Sequence, residues 1–594
     1  MKRKLTIFLQ VSGSAFLAGV ILLANVPAAR AQSQYPSAPQ LKKDGTAVLL
    51  EDYASLPLSS PTHAGAPKTI DTKAQLGRVT SLVTEPGDAP LSNSRFFVVD
   101  QSHTIYILDK ATRKFSPALN FAEMFPKFVS DTGAHTVGLT ALAFDPGYAK
   151  NGKFYTVHVE KPAMEGSGLP VSGQNSGLDF SKYERTAPVT PPAGVTDLES
   201  VVVEWTDRNV RNASFEGTAR ELLRISYNRS HPTGDILFNP LARPGDVDFG
   251  NLYIAVGDGA TGETPGPTQT LPQRLDTLLG KILRITPDLS LRPKDMLSAN
   301  GRYRIPSTGA DTNPFVSVKG ARPEIFAYGM RNPHRIFFDT TSKQVLFNDI
   351  GFHNWEEVNV LRKGGHYGYA EREGHEQFFP ADGKSGSQYS PAVPFPERDV
   401  LTVQGLDEVV PLYPAALYSH QDGDAIGDGF VYRGKLLPQL QGKYVFTDLT
   451  TGRLLYADLA EILATNGRRN QVAQIHELQV MYKSPESTTP EKRRMFDIVA
   501  AAWAKKGGKS PIGHALAGAS RATTGFSDAE RKQPKMDPEG VPYGGGRADV
   551  RIAMDAEGEL YVLSKTDGMI RRMVSSSGPA PSSSGAPAAS RAGR

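Results

Sequence analysis

Residues Leu142–His158 read LAFDPGYAKNGKFYTVH. A β-rich run opens at Ala143-Phe144, turn residues interrupt it, and Phe154-Tyr155 close the second run. The same pattern returns in Arg95–Leu108, Ile236–Val256, Ile336–Asp349, Gly429–Asp458 and Ile552–Leu563. Period-2 alternation joined by Gly, Pro, Asp and Asn is the mark of antiparallel hairpins. None of these units can bury both of its faces alone. Six of them predict an all-β fold, a six-bladed β-propeller of four-stranded antiparallel blades. Their uneven spacing requires long loop insertions between strands.

The rest of the chain is organised around these units. Residues 32–73 read as an extended lead-in, 74–574 as the propeller, and 575–594 as a disordered low-complexity tail. Two polar insertions are expected, at about 160–219 and 481–544. In the second, Met495, Ile498, Val499 and Trp503 recur at helical spacing and predict a surface helix within Pro490–Lys506.

Composition narrows the chemistry. The 594 residues include 57 Gly and 44 Pro, which favours turns over helical bundles. Hydrophobic residues make up 39% and charged residues 22%, enough apolar matter for a sizeable core. There is no cysteine, so disulfides, thiolate nucleophiles, iron–sulfur clusters and c-type haem attachment are excluded.

Lys2, Arg3 and Lys4, the apolar run Ala15–Ala24 and Ala29-Arg30-Ala31 read as a secretory signal, removed near Ala31. The ten-residue apolar run is too short to span a bilayer. A periplasmic or secreted location is expected, with no membrane span. Lys2, Arg3, Lys4 and Arg30 equal the formal excess of +4, so the exported chain is near neutral and lacks the basic footprint of a nucleic-acid binder.

Several polar positions could carry chemistry. His231 precedes a strand, in a turn with Pro232 and Gly234. An imidazole there could serve as a general base, or simply bond to backbone. Arg331 and Asn332 lie between Gly329 and Pro333. The arginine offers a fork for carboxylates or an oxyanion; the alternative is a structural pair with a glutamate. Asp349 to Glu357 supplies carboxylates and loop carbonyls around Gly351, the oxygen donors a hard cation needs, without EF-hand spacing. Gly257-Asp258-Gly259 reads as a turn and not as a phosphate loop.

In order along the chain, these strings resemble the soluble glucose/sorbosone dehydrogenases, also called aldose sugar dehydrogenases. The likeness rests on Gly138-Leu139 with Ala143-Phe144-Asp145-Pro146, on the His231 string, Gly257-Asp258-Gly259, and Leu279-Gly280-Lys281-Ile282-Leu283-Arg284-Ile285. It also rests on Gly329 to Pro333, Gly351 to Asn359, and Gly429-Phe430-Val431-Tyr432-Arg433-Gly434. The resemblance implies a six-bladed propeller holding pyrroloquinoline quinone (PQQ) over its channel, with Ca²⁺ polarising the quinone. It implies His231 as the base that takes a sugar hydroxyl proton while hydride passes to the quinone. Arg331 then lies over the quinone oxygens with Asn332 beside it, and the carbonyls of Gly351 and Phe352 ligate Ca²⁺. The implied substrate is a sugar or other small polyol, and electrons leave to a separate acceptor.

Two departures stand out. The family's paired arginines before the last blade are represented by Arg547 one position off, and strand alternation turns it to the other face. No counterpart of the family's cofactor lysine is found near Thr450–Arg453; Arg453 and Lys565 are the replacements expected. Two rival readings follow: a propeller without cofactor that binds glycans or proteins, and a Ca²⁺-dependent lactonase-type hydrolase, for which no nucleophile motif is present.

Overall fold

The computed structural model describes residues 40–58, 77–130, 137–173, 175–212, 214–260, 268–352, 355–377, 401–403, 405–420, 422–469, 471–506 and 548–576. The expected signal (1–31), the tail beyond 576, Arg547 and most of the 481–544 insertion lie outside the described residues.

Each hairpin read from the sequence falls within one blade. From the axis outward, the first blade is Val79–Val83, Arg95–Asp100, Thr104–Asp109 and Phe115–Asn120. The second is Leu139–Phe144, Lys153–Glu160, Leu198–Asp207 and Gly217–Tyr227. The third is Thr233–Phe238, Leu252–Val256, Lys281–Ile285 and Ile325–Tyr328. The fourth is Pro333–Asp339, Gln344–Asp349, Trp355–Val360 and Ala416–Ser419. The fifth is Ile426–Val431, Lys443–Asp448, Leu454–Asp458 and Ile475–Glu477.

The sixth blade closes the ring. Val550–Met554, Leu560–Ser564 and Met569–Ser575 come from the C-terminal end, and the fourth strand is Ala47–Ser55. That strand pairs antiparallel with Met569–Ser575, Val48 opposite Ser575 and Ser55 opposite Met569. The expected lead-in over 32–73 is therefore corrected: part of it is blade. Val48 and Leu50 are fully buried, and this apolar face drives the strand into place. The six innermost strands touch in sequence, and the sixth touches the first, so the ring is closed.

The insertion expected at 160–219 is also corrected. Leu198–Asp207 (LESVVVEWTD) and the start of Gly217–Tyr227 are the outer strands of the second blade. Trp205 is fully buried there, and its indole N–H donates to Thr156 Oγ1 at 2.8 Å. The true excursion runs from Lys161 to Asp197. The predicted helix forms over Met495–Lys505. It is not merely superficial: Met495, Phe496, Ile498 and Val499 pack with Leu440, Leu454 and Val480, between the fifth and sixth blades. No helix among the described residues is long and apolar enough to cross a membrane.

Strand alternation positions the site. Within each blade the turn between second and third strands, and the link from the outer strand to the next blade, lie at the same end of the channel. Every described residue proposed from the sequence (His231, Arg331, Asn332, Gly351, Phe352, Arg453 and Lys565) sits on one of these connections.

Candidate functional site

His231 lies on the link into the third blade's inner strand, with φ at +55°. The turn after the second strand lies against it. A Cβ on Gly257 would fall 2.4 Å from the His231 carbonyl oxygen, so only glycine permits this approach. The next residue, Asp258, is fully buried, and its Oδ1 stands 2.7 Å from His231 Nδ1. A carboxylate accepts, so Nδ1 donates and the neutral ring keeps its lone pair on Nε2. Asp258 Oδ1 also accepts from Ala260 N at 2.8 Å.

The same aspartate ties two blades together. Its backbone N–H donates to the Arg331 carbonyl at 2.7 Å. Arg331 and Asn332 then cap Asp349: their N–H groups reach its carboxylate at 3.1 and 2.6 Å. Arg331 Nη1 donates to the Ile350 carbonyl at 3.0 Å, and its guanidinium lies 5.3 Å from the Phe352 ring centroid. Thus His231, Arg331, Asn332 and the Gly351-Phe352 loop, remote in sequence, converge at one mouth.

The Gly351 loop is tightly drawn. A Cβ at Gly351 would meet the Trp355 carbonyl at 1.7 Å. Glu373 holds the loop from within, accepting from Phe352 N at 2.7 Å and Trp355 N at 3.3 Å. Burial pushes the carboxyls of Asp349 and Glu357 well above the usual range, and for Glu357 the charge of Asp349 adds to it. Among the described residues no group of three His, Asp or Glu side chains is set to hold a metal, so a cation here would depend on carbonyl oxygens. The donor Lys281 of the Leu279–Ile285 string is structural: its buried Nζ donates to the carbonyls of Leu271, Pro272 and Leu279.

The cationic groups differ from those expected. Arg453 turns to Glu477, with Nε at 3.5 Å, and donates to the Asp422 carbonyl. Lys565 is bound to Asp549 at 3.1 Å and to Gln101 Oε1 at 3.1 Å, joining the sixth blade to the first. Below the mouth, Arg335 reaches across the axis. Its Nε pairs with Asp428 at 3.0 Å, and its Nη groups donate to the carbonyls of Thr80, Thr140 and Gly234. Arg551 pairs with the same Asp428 at 3.2 Å and donates to His334 Nε2. Burial, and then Arg551, Arg335 and Lys565, hold His334 well below the ordinary histidine range. Sequence reading offered no sign of Asp258 as the histidine's partner, or of Arg335, Asp428 and His334; Asp349, expected among oxygen donors for a cation, instead accepts from the Arg331 and Asn332 N–H groups. The Gly-Asp-Gly string was visible, but only the fold shows what the aspartate faces.

The fold and site define a class: six-bladed propellers with a polar axial mouth built from a histidine–aspartate pair and an arginine. Residues 223–480, somewhat under half of the chain, match the family model described as Glucose / Sorbosone dehydrogenase. It is 29% identical over 353 residues to the HIPL1 protein of Arabidopsis thaliana, covering 56% of this chain and 45% of that protein. It is 26% identical over 357 residues to the Hedgehog-interacting protein of Mus musculus (60% and 39%). It is 22% identical over 428 residues to quinoprotein glucose dehydrogenase B of Acinetobacter calcoaceticus (69% and 73%). The chain spans less than half the length of the HIPL1 protein.

Proposed function

We propose that this chain is an exported quinoprotein that oxidises a sugar hydroxyl. The observation that carries the reading is the His231–Asp258 pair, linked through the Asp258 N–H to Arg331. Export rests on the Met1–Ala31 reading. When bound, PQQ supplies the acceptor for hydride and Ca²⁺ polarises its quinone.

The donor set fits a planar, carboxylate-bearing group. Asn332 is 3% exposed, and its side-chain amide has no hydrogen-bond partner among the described residues. Arg331, Arg551 and Lys565 place cationic groups around the axis. Asp428 and Asp549 already hold Arg551 and Lys565, so a carboxylated ligand must share or displace those contacts.

In this reading the chain's residues divide the work. His231 Nε2 takes the proton of the hydroxyl that is oxidised, and Asp258 keeps that nitrogen unprotonated beforehand. Asp258 then stabilises the imidazolium that results. The Arg331 guanidinium faces negative charge that appears during the reaction. The carbonyls of Gly351 and Phe352 would hold the cation.

The test is dye-linked aldose oxidation by the purified protein loaded with PQQ and Ca²⁺. Wild type should turn over and His231→Gln should not; a wild type that oxidises no aldose would falsify the reading. A second reading is favoured by the engagement of Lys565 and Arg551 with aspartates, and by the similarity to a Hedgehog-interacting protein. It makes the propeller a binding module for glycans or proteins, and predicts that His231→Ala leaves glycan or protein capture unchanged.

A further inference from the structure

Two residues beyond Asn332, the chain enters the fourth blade's inner strand at His334, which is 7% exposed. Arg551 Nη1 donates to its Nε2 at 2.5 Å. Arginine has no acceptor, so Nε2 must carry a lone pair and the ring proton resides on Nδ1. Arg551 is fixed in turn by Asp428, and Asp428 by Arg335. Arg335 also donates to the His334 carbonyl at 3.3 Å. The backbone cannot drift, because a Cβ on neighbouring Gly234 would fall 2.8 Å from that carbonyl. The imidazole is thereby locked in one tautomer and one place.

Its other nitrogen has no such commitment. Among the described residues, Nδ1 of His334 makes no hydrogen bond. This nitrogen is not sealed among the buried unpartnered atoms; it remains accessible to solvent and so is open to a ligand. His334 is also close enough to the mouth to feel the charges of Lys565 and His231. Its neutral state suits a donor to an oxygen-rich ligand and unsuits it for the role of base.

We propose that His334 is a second histidine of the site, a ligand-contacting residue whose Nδ1–H donates to a carboxylate or quinone oxygen of the bound cofactor. The inference rests on the reading under Proposed function. It separates the two histidines by role: His231 receives a proton, while His334 orients the acceptor and does not exchange one.

The experiment is a titration of the metal-loaded protein with PQQ, followed by quenching of intrinsic fluorescence and by the quinone absorbance. Wild type, His334→Leu and His334→Gln are compared, with thermal melting of each. Loss of a hydrogen bond to a charged acceptor should weaken PQQ binding roughly tenfold or more in His334→Leu. His334→Gln can still accept from Arg551 and offer an N–H, and should stay within about threefold of wild type. Equal affinity for wild type and His334→Leu would overturn the proposal and leave the enzymatic reading standing. No PQQ binding by wild type would overturn both. Should His334→Leu melt well below wild type, the ring-nitrogen resonances of ¹⁵N-histidine-labelled wild type decide. A His334 Nδ1–H signal, assigned with His334→Gln, must move on PQQ addition; a signal that stays put overturns the proposal.

Discussion

Replacing Asp258 with asparagine probes the site at its narrowest point. The side chain keeps its size but loses its charge, and its amide can now donate. The Ala260 N–H donates to the same oxygen that faces His231 Nδ1 at 2.7 Å, so the amide oxygen keeps that place and the ring tautomer holds, while the carboxylate charge beside the imidazole is lost. The nitrogen that should take the substrate proton would then lose the charge that stabilises the resulting imidazolium. General-base catalysis is worth about 10²–10⁴ in rate, so kcat should fall by that range. KM should change little, because Asp258 is fully buried and its Oδ1 serves His231 and Ala260. Folding should weaken by about 1–3 kcal/mol, the cost of a mispaired buried polar group. Steady-state kinetics with a saturating dye acceptor give the first numbers and urea unfolding gives the last. A variant that keeps more than a tenth of wild-type kcat would refute the role assigned to Asp258. Asp258→Ala separates loss of charge from loss of orientation: it removes the acceptor as well as the charge and should be damaged in kcat at least as much as Asp258→Asn.

Two further outcomes test the fold and its pH response. Leu50→Ala removes a fully buried side chain from the strand that closes the sixth blade; urea unfolding should show a loss of about 2–5 kcal/mol, and a loss under 1 kcal/mol would mean that the strand is not seated as described. His366 is buried, accepts from Gly368 N at 2.9 Å, and has its pKa pushed down to about 3 by burial. Its folded value lies below its unfolded one, so the unfolded chain binds the extra proton and stability falls as pH drops from 6.5 towards 3. Denaturation at stepped pH should show wild type losing up to about 1.4 kcal/mol per unit more than His366→Gln across that window; parallel curves would sink this assignment.

The six hairpins were legible because a strand pair is local. Ile236–Val256 carries its own alternation and its own turn, and the structure pairs Thr233–Phe238 with Leu252–Val256 accordingly. The blade boundaries were less legible where the partner is distant. Ala47–Ser55 pairs with a strand more than 500 residues away, and nothing near it in the sequence announces that partner. Leu198–Asp207 was hidden for a related reason: the polar excursion before it dilutes the pattern of the blade it completes. Site residues divide the same way. His231 and Arg331 are marked by flanking Pro and Gly, whereas Asp258 looks like any residue of a Gly-Asp-Gly turn until the fold sets it against the imidazole.

Taken alone, the order of residues determined where strands begin and turn, and which loops bear titratable groups, because alternation and turn chemistry act over a few neighbours. Closure of the ring, the histidine–aspartate contact, and the buried assembly of Arg335, Asp428, Arg551 and His334 were decided only in three dimensions. Ring closure and the buried assembly are pairings between blades, the histidine–aspartate contact joins two loops of the third, and their energy depends on burial and distance that exist only once the blades have packed around the axis.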